Sequence, residues 1–303
     1  MSGAKLTNKL IKLDTWVNGE SVKSLSIHDR GLQYGDGFFT TILVRNQQLL
    51  NWPAHWRRIE KSSQALFLPT LDKSLLQSWI RSALSEYFQA NSQSDCVLKL
   101  MVTRGTGGMG YQMPEEIHPN CIFLIKPAPN FIQQEFLATN EPIESMVSIN
   151  QASSSSQPGL VGLKSLNRLE NVLARTEVTQ HGFDEGIMLN CLNNAVCGTQ
   201  SNLFIIKAKS VFTPKLDVSG VEGTTRYQLL FLLETLGYDV QQVDLKIEDI
   251  LQADELFFSN AVRGIQPVKR LLESQFELQQ TQKIHQAWLN WQQQNATPIA
   301  QLK

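Results

Sequence analysis

The stretch Gly162-Leu163-Lys164-Ser165-Leu166-Asn167-Arg168-Leu169-Glu170-Asn171-Val172-Leu173-Ala174-Arg175 constrains this chain most. One lysine stands just before a helical pattern. Leu166, Leu169, Val172 and Leu173 recur at three- and four-residue spacing, which predicts one shared apolar face. Asn167 is placed to cap the helix, with Glu170 three residues on to reach back. Lys164 then sits beside the positive end of a helix dipole, which disfavours its ammonium form. A lysine kept partly neutral can attack a carbonyl. Taken alone, the position reads first as a solvated lysine, since lysines before helices are common.

The chain has 303 residues and a formal net charge of -1. That length suggests one large or two ordinary domains, ample for a buried core. The balanced charge gives no reason to invoke nucleic acid or a membrane surface. No apolar run is long enough to span a bilayer, and residues 1–15 lack the pattern of a secretion signal. Cys96, Cys121, Cys191 and Cys197 form no metal-binding spacing with each other or with histidine. The expectation is therefore no metal, and a reducing, cytoplasmic setting.

If Lys164 attacks a carbonyl compound that also carries phosphate, the chain must supply more. It needs a cradle for the phosphate, a basic residue on it and a wall for the ring. In chain order, Asn18-Gly19 reads as a hairpin turn within residues 15–22. Residues 26–39 read as a glycine-rich loop that bends sharply or approaches something closely; a packed turn is the plain alternative. Strands are expected at 39–44 and 48–52, and helices at 54–67, opened by Pro53, and at 71–90. His55 and Arg58 share one face of the first helix. The arginine matters only if a phosphate lies nearby.

A strand at 97–103 runs into the glycine-rich loop 104–111, and another strand follows at 121–125. Lys126-Pro127-Ala128-Pro129-Asn130 is the best boundary between two domains. A partly alternating segment at 136–150 opens the second half. The polar stretch 153–159 reads as a loop or a gate. Hairpin strands flank Asn193-Asn194, and further strands are expected at 203–206 and 255–258. Gly223-Thr224-Thr225-Arg226 opens a leucine-rich helix; free N–H groups and two hydroxyls there suit an anion, and an ordinary capped helix is the alternative. The glutamine-rich segment 275–294 reads as a surface helix.

Together these stretches resemble the fold-type IV pyridoxal-phosphate enzymes, and within them the 4-amino-4-deoxychorismate lyases. The resemblance rests on residues 29–37, 55–58, 104–111, 162–170, 201–204 and 223–226 in that order, and covers roughly 15–270. It implies a mixed α+β / α/β fold like that of the D-amino-acid aminotransferases. A small N-terminal α/β domain (1–126) and a linker (127–133) would precede a larger C-terminal domain (134–303), barrel-like with helices. It implies pyridoxal 5′-phosphate bound covalently at Lys164. Arg58, Thr224 and Thr225 would hold the phosphate, with Cys197 and Asn260 also at the cofactor. Tyr34, Arg104, Asn167 and Arg168 become candidates for the substrate. The family also implies a homodimer.

Two positions depart from the family pattern. Cys197 stands where a glutamate usually pairs with the pyridine nitrogen, and a thiol does that poorly. Met109 stands where the lyases tend to have arginine, so Arg104 or Arg168 would have to meet substrate carboxylates. The expected activity is elimination of pyruvate from 4-amino-4-deoxychorismate to give 4-aminobenzoate for folate synthesis. That step leaves an aromatic ring and leans less on the cofactor as an electron sink. The alternatives are a D- or branched-chain amino-acid transaminase, and a cofactor-binding homologue with little activity because of Cys197. Leu169, where branched-chain enzymes tend to have tyrosine, weighs against the transaminase.

Overall fold

The first hairpin forms where the turn chemistry predicts it. Strands β1 (Asp14–Val17) and β2 (Glu20–Ser21) flank Asn18 (φ 50) and Gly19 (φ 87), the paired positive angles of a two-residue hairpin turn. The structure is a computed structural model and describes residues 14–91, 95–129, 141–150 and 158–303. Residues 1–13, the polar run 153–157, residues 136–140 and most of the expected linker lie outside them.

The glycine-rich loop contains one short helix, α1 (Arg30–Tyr34). Asp29 accepts from the Gly31 N–H at its start, and Gly35 (φ 64) closes it. Next come β3 (Gly37–Arg45), β4 (Gln48–Leu49), α2 (Trp52–Ala65), α3 (Lys73–Ala90), β5 (Cys96–Thr103) and β6 (Asn120–Pro127). The strand expected at 48–52 stops at Leu49, because the chain turns into α2 with Pro53 in its first turn. Side chains of β3 alternate. Phe38, Ile42 and Val44 are buried in the core beneath α2 and α3, whereas Phe39 and Thr41 face the other way. That second face becomes one wall of the site.

The second half holds β7 (Ile143–Val147), α4 (Leu169–Gln180), β8 (Glu185–Leu189), β9 (Ala195–Gly198), β10 (Asn202–Lys207) and β11 (Ser210–Pro214). Then follow α5 (Thr224–Thr235), β12 (Asp239–Val243), α6 (Ile247–Leu251), β13 (Glu255–Asn260), β14 (Gly264–Leu271), β15 (Ser274–Gln275), α7 (Gln279–Gln294) and β16 (Thr297–Pro298). Among the described residues, one sheet has seven strands in the order β16-β4-β3-β5-β6-β1-β2. The other runs β12-β11-β10-β13-β14-β7-β8-β9, with β15 paired to β14. Both its faces are covered. Phe204 and Phe257 are opposite in register, stack at 4.9 Å and pack under α5 and α7.

Two sequence expectations change here. The helix after the lysine begins at Leu169, with Arg168 rather than Asn167 at its cap, and Leu169, Val172 and Leu173 are exposed. The buried face is Ala174, Glu177 and Val178. Glu177 is retained there because Ser148 Oγ (2.6 Å), the Ile149 N–H (3.0 Å) and Asn150 Nδ2 (2.7 Å) donate to its carboxylate. The glutamine-rich helix is not a surface element only: Ile284, His285 and Trp288 are buried, and Glu255 accepts from the N–H groups of Gln280 and Thr281 at its start. Beyond it, β16 pairs with β4, and Ile299 and Leu302 enter the core of the first sheet. No helix among the described residues is long and apolar enough to cross a membrane.

Candidate active site

Lys164 is fixed by backbone hydrogen bonds from both lobes. The Phe39 N–H donates to the Lys164 carbonyl (2.9 Å), and the Leu166 N–H to the Gly37 carbonyl (3.0 Å). On the other side the Gly162 N–H donates to Gly220 O (3.2 Å), and the Glu222 N–H to Gly162 O (2.9 Å). The lysine segment is thus sewn between β3 and the approach to α5. Lys164 Nζ lies 4.5 Å from the centroid of the Phe39 ring. Burial, then the charges of Arg58, Arg168 and Lys99, bring its pKa down to about 7. The position before a helix predicts such an effect from the helix end. The environment that produces it is a desolvated pocket rich in positive charge.

Arg58 comes from the second turn of α2 and is buried. Its guanidinium donates to the Glu222 carbonyl (2.7 Å) and to Thr40 Oγ1 (3.3 Å). Thr40 Oγ1 also lies 2.6 Å from His55 Nδ1. Burial, then the charge of Arg58, hold His55 well below its ordinary pKa, so its ring is neutral. Because Arg58 donates to Thr40, the hydroxyl proton is free to point at His55. The Glu222 carboxylate takes Arg57 (3.1 Å) and Lys61 (2.9 Å). Burial raises it, but those two bonds hold it below the usual carboxylate range.

Across from Arg58, α5 starts at Thr224 with Gly223 as its cap and no side chain capping its first N–H groups. Thr224 and Thr225 are buried, and neither hydroxyl has a partner. Two orphaned buried hydroxyls, uncapped N–H groups and a guanidinium are groups that could hold an anion. Arg58, Thr224 and Lys164 border one cavity of about 670 Å³, together with Cys197, Asn260 and Arg168. Cys197 is buried; burial, then the neighbouring Glu185, push its thiol up to about 12. Asn260 uses its side-chain oxygen to accept from the Val262 (3.0 Å) and Arg263 (2.7 Å) N–H groups, which shapes the cavity rim.

The other candidates separate. Tyr34 and Asn167 border a neighbouring cavity, which shares Arg168 and Cys197 with the first. Asn167 donates to Gly35 O (3.2 Å) instead of capping the helix. Arg168 reaches both cavities, held by Ser165 Oγ (3.2 Å) and ion-paired with Glu170 (3.5 Å). Arg104 is buried and already engaged: it donates to Asp36 (2.8 and 3.0 Å) and to the Leu66 carbonyl (2.7 Å). The expectation that Arg104 meets a substrate carboxylate does not match this placement. Arg30 also binds Asp36 and donates to the carbonyls of Gly107, Gly110 and Gln112, so it holds the glycine-rich loop in shape.

The sequence profile of the Amino-transferase class IV family matches residues 37–271, from β3 to the end of β14. The chain belongs to the aminotransferase class IV family. Aminodeoxychorismate lyase of Vibrio harveyi is 35% identical over 256 residues, which cover 84% of this chain and 89% of that protein. A putative branched-chain-amino-acid aminotransferase of Methanocaldococcus jannaschii is 27% identical over 84% of this chain and 86% of its own length. The crystal structure of 4-amino-4-deoxychorismate lyase from Pseudomonas aeruginosa superposes with a TM-score of 0.79 at 34% identity, covering 89% of this chain and 96% of that one.

The fold is therefore the fold-type IV fold, whose class IV members use pyridoxal 5′-phosphate. The residues here fit that group at two ends: the orphaned hydroxyls and Arg58 suit its phosphate, and Lys164 its aldehyde. At the third, Cys197 brings a neutral thiol. Glu185, the carboxylate beside it, accepts from the Thr199 N–H (2.9 Å) and Ser201 Oγ (2.8 Å). Sequence reasoning missed Thr40 and Glu222, which hold Arg58, and Phe39 under the lysine. The alternation of β3 was the available signal, since it sets Phe39 opposite the core residues Phe38 and Thr40.

Proposed function

We propose that this chain binds pyridoxal 5′-phosphate and acts as a 4-amino-4-deoxychorismate lyase. The observation that carries the reading is the pairing of a buried lysine near neutrality with an unsatisfied anion cradle on the same cavity. The likeness to the lyases of Vibrio harveyi and Pseudomonas aeruginosa supports the choice of substrate.

In this reading Arg58, Thr224, Thr225 and the first N–H groups of α5 hold the phosphate, and Lys164 takes the aldehyde. Bound there, pyridoxal phosphate supplies a carbonyl for the substrate amine and an electron-withdrawing ring. With a pKa of about 7, Lys164 is half neutral at pH 7, and in that form it would accept the proton from C4 of the substrate. The C4–H electron pair becomes a ring double bond as the neighbouring C–O bond breaks. The enolpyruvyl oxygen leaves with its pair as an enolate, which takes up a proton at its methylene carbon to become pyruvate and leaves 4-aminobenzoate. Arg168 at the cavity wall orients an acidic substrate. The neutral Cys197 thiol suits a reaction driven by aromatisation more than one that must hold a carbanion.

The active form in this reading is a homodimer. Leu169, Val172 and Leu173 on one exposed helix face, with Met109 and Tyr111, support a covering partner copy. The test is release of pyruvate from 4-amino-4-deoxychorismate with no keto acid added. Turnover that requires a keto acid would move the reading to a transaminase, the activity named for the branched-chain relative.

A further inference from the structure

Phe39 and Lys164 are tied together through their backbones. The Phe39 N–H donates to the Lys164 carbonyl (2.9 Å), and the neighbouring Phe38 bridges to Ser165. Phe38 is fully buried in the core, so Phe39 points to the opposite face of β3, where it borders the main cavity. Its register partner on β5 is Met101, and Lys99 stands two residues before Met101 on the same face. That is the diagonal position across a strand pair, within reach of an aromatic ring and a long side chain. Both lysine nitrogens end on this ring. Lys164 Nζ lies 4.5 Å from its centroid and Lys99 Nζ 4.6 Å.

An ammonium over an aromatic ring is attracted by the negative face of the ring, whereas a neutral amine gains far less. A lysine that uses a ring only as apolar support lays its stem there and carries its head into water. Here the nitrogens themselves lie over the ring. Their other neighbours disfavour the charged forms. Lys164 faces Arg58 from α2, Arg168 at the cap of α4, Lys99 from β5 and the neutral Cys197 from β9. Lys99 faces Lys126 from β6. Among the described residues no carboxylate is ion-paired with either lysine. Burial first, and then these like charges, lower both pKa values. The Phe39 ring works in the opposite sense.

We propose that Phe39 is a positioning residue for Lys164: its ring face holds the ammonium forms of Lys164 and Lys99, and keeps Lys164 basic enough to retain a proton taken from the substrate. The part played in turnover rests on the function proposed above, and the contact between ring and lysines does not. A plain hydrophobic wall of the same size predicts the opposite sign. Removing a wall lets water reach the amines, which favours their charged forms. Removing a cation–π partner disfavours them.

The test is a pH titration of ligand-free protein carrying isotope-labelled lysine, followed by NMR, with Lys164→Met and Lys99→Met to assign the two signals. Phe39→Leu should lower the Lys164 midpoint by about one pH unit and move Lys99 in the same direction. Phenylalanines with one, two and three ring fluorines at position 39 keep the shape of the ring and drain its negative face. The Lys164 midpoint should then fall stepwise with fluorine number. The fluorine series decides the matter if the leucine variant does not fold. A series that leaves the midpoint unmoved overturns the assignment, and so does an unchanged or raised midpoint in Phe39→Leu. The titration needs neither cofactor nor turnover. Absence of pyruvate release therefore fails the lyase reading alone.

Discussion

Lys164 carries a pH dependence that its burial fixes in sign. Its folded pKa is about 7, against an ordinary 10.5. Between those values the unfolded chain binds the extra proton, so stability rises with pH across that window, and the penalty of the buried charge is full below about pH 7. In ligand-free protein, the wild type should gain stability relative to Lys164→Met as pH goes from neutral to alkaline, read as the difference in urea midpoints. A flat difference would mean an ordinary lysine. Arg58 makes a separate prediction. Arg58→Met should weaken pyridoxal phosphate by at least about 10-fold while changing the affinity for pyridoxal little, because the lost contact is a charge-assisted one to phosphate. Parallel losses for both compounds would place Arg58 elsewhere.

At the scale of elements, the C-terminal segment ties the second lobe to the first. After α7, β16 joins β4, Leu302 lies 1% exposed in the first core, and Arg81 donates to its carbonyl (2.8 Å). Leu302→Ala should cost about 2–4 kcal/mol by cavity formation, measured by denaturant unfolding. An unchanged midpoint would show that the segment only rests on the surface. Nothing in the glutamine-rich run announced this, since glutamine patterning hides the few anchors, Ile284 and Trp288, and the two short strands are set by tertiary pairing. The reverse happened after Lys164. Leu169, Val172 and Leu173 read as a core face but stay exposed, because helical periodicity reports an apolar stripe and not what covers it. Turns and helix starts were more legible. Asn18-Gly19 and Gly223-Thr224-Thr225 act through local backbone chemistry, which neighbours in sequence determine. The fate of Arg104 was invisible, because its partners Asp36 and Leu66 come from distant segments.

At the scale of the molecule, the site lies where two sheets meet, with Lys164 bonded to β3 on one side and to the approach to α5 on the other. The exposed Val172 and Leu173 predict a dimer in solution. Replacing both with aspartate should shift the mass found by light scattering toward one chain, and a mass independent of the pair would contradict that interface. The most direct measurement of the whole account is the absorbance of purified protein incubated with pyridoxal phosphate, followed by addition of 4-amino-4-deoxychorismate with pyruvate detection. The account predicts a cofactor band that is lost in Lys164→Met, and pyruvate released by the wild type with no keto acid present. A band that survives in Lys164→Met, or no band at all with excess cofactor, would contradict it.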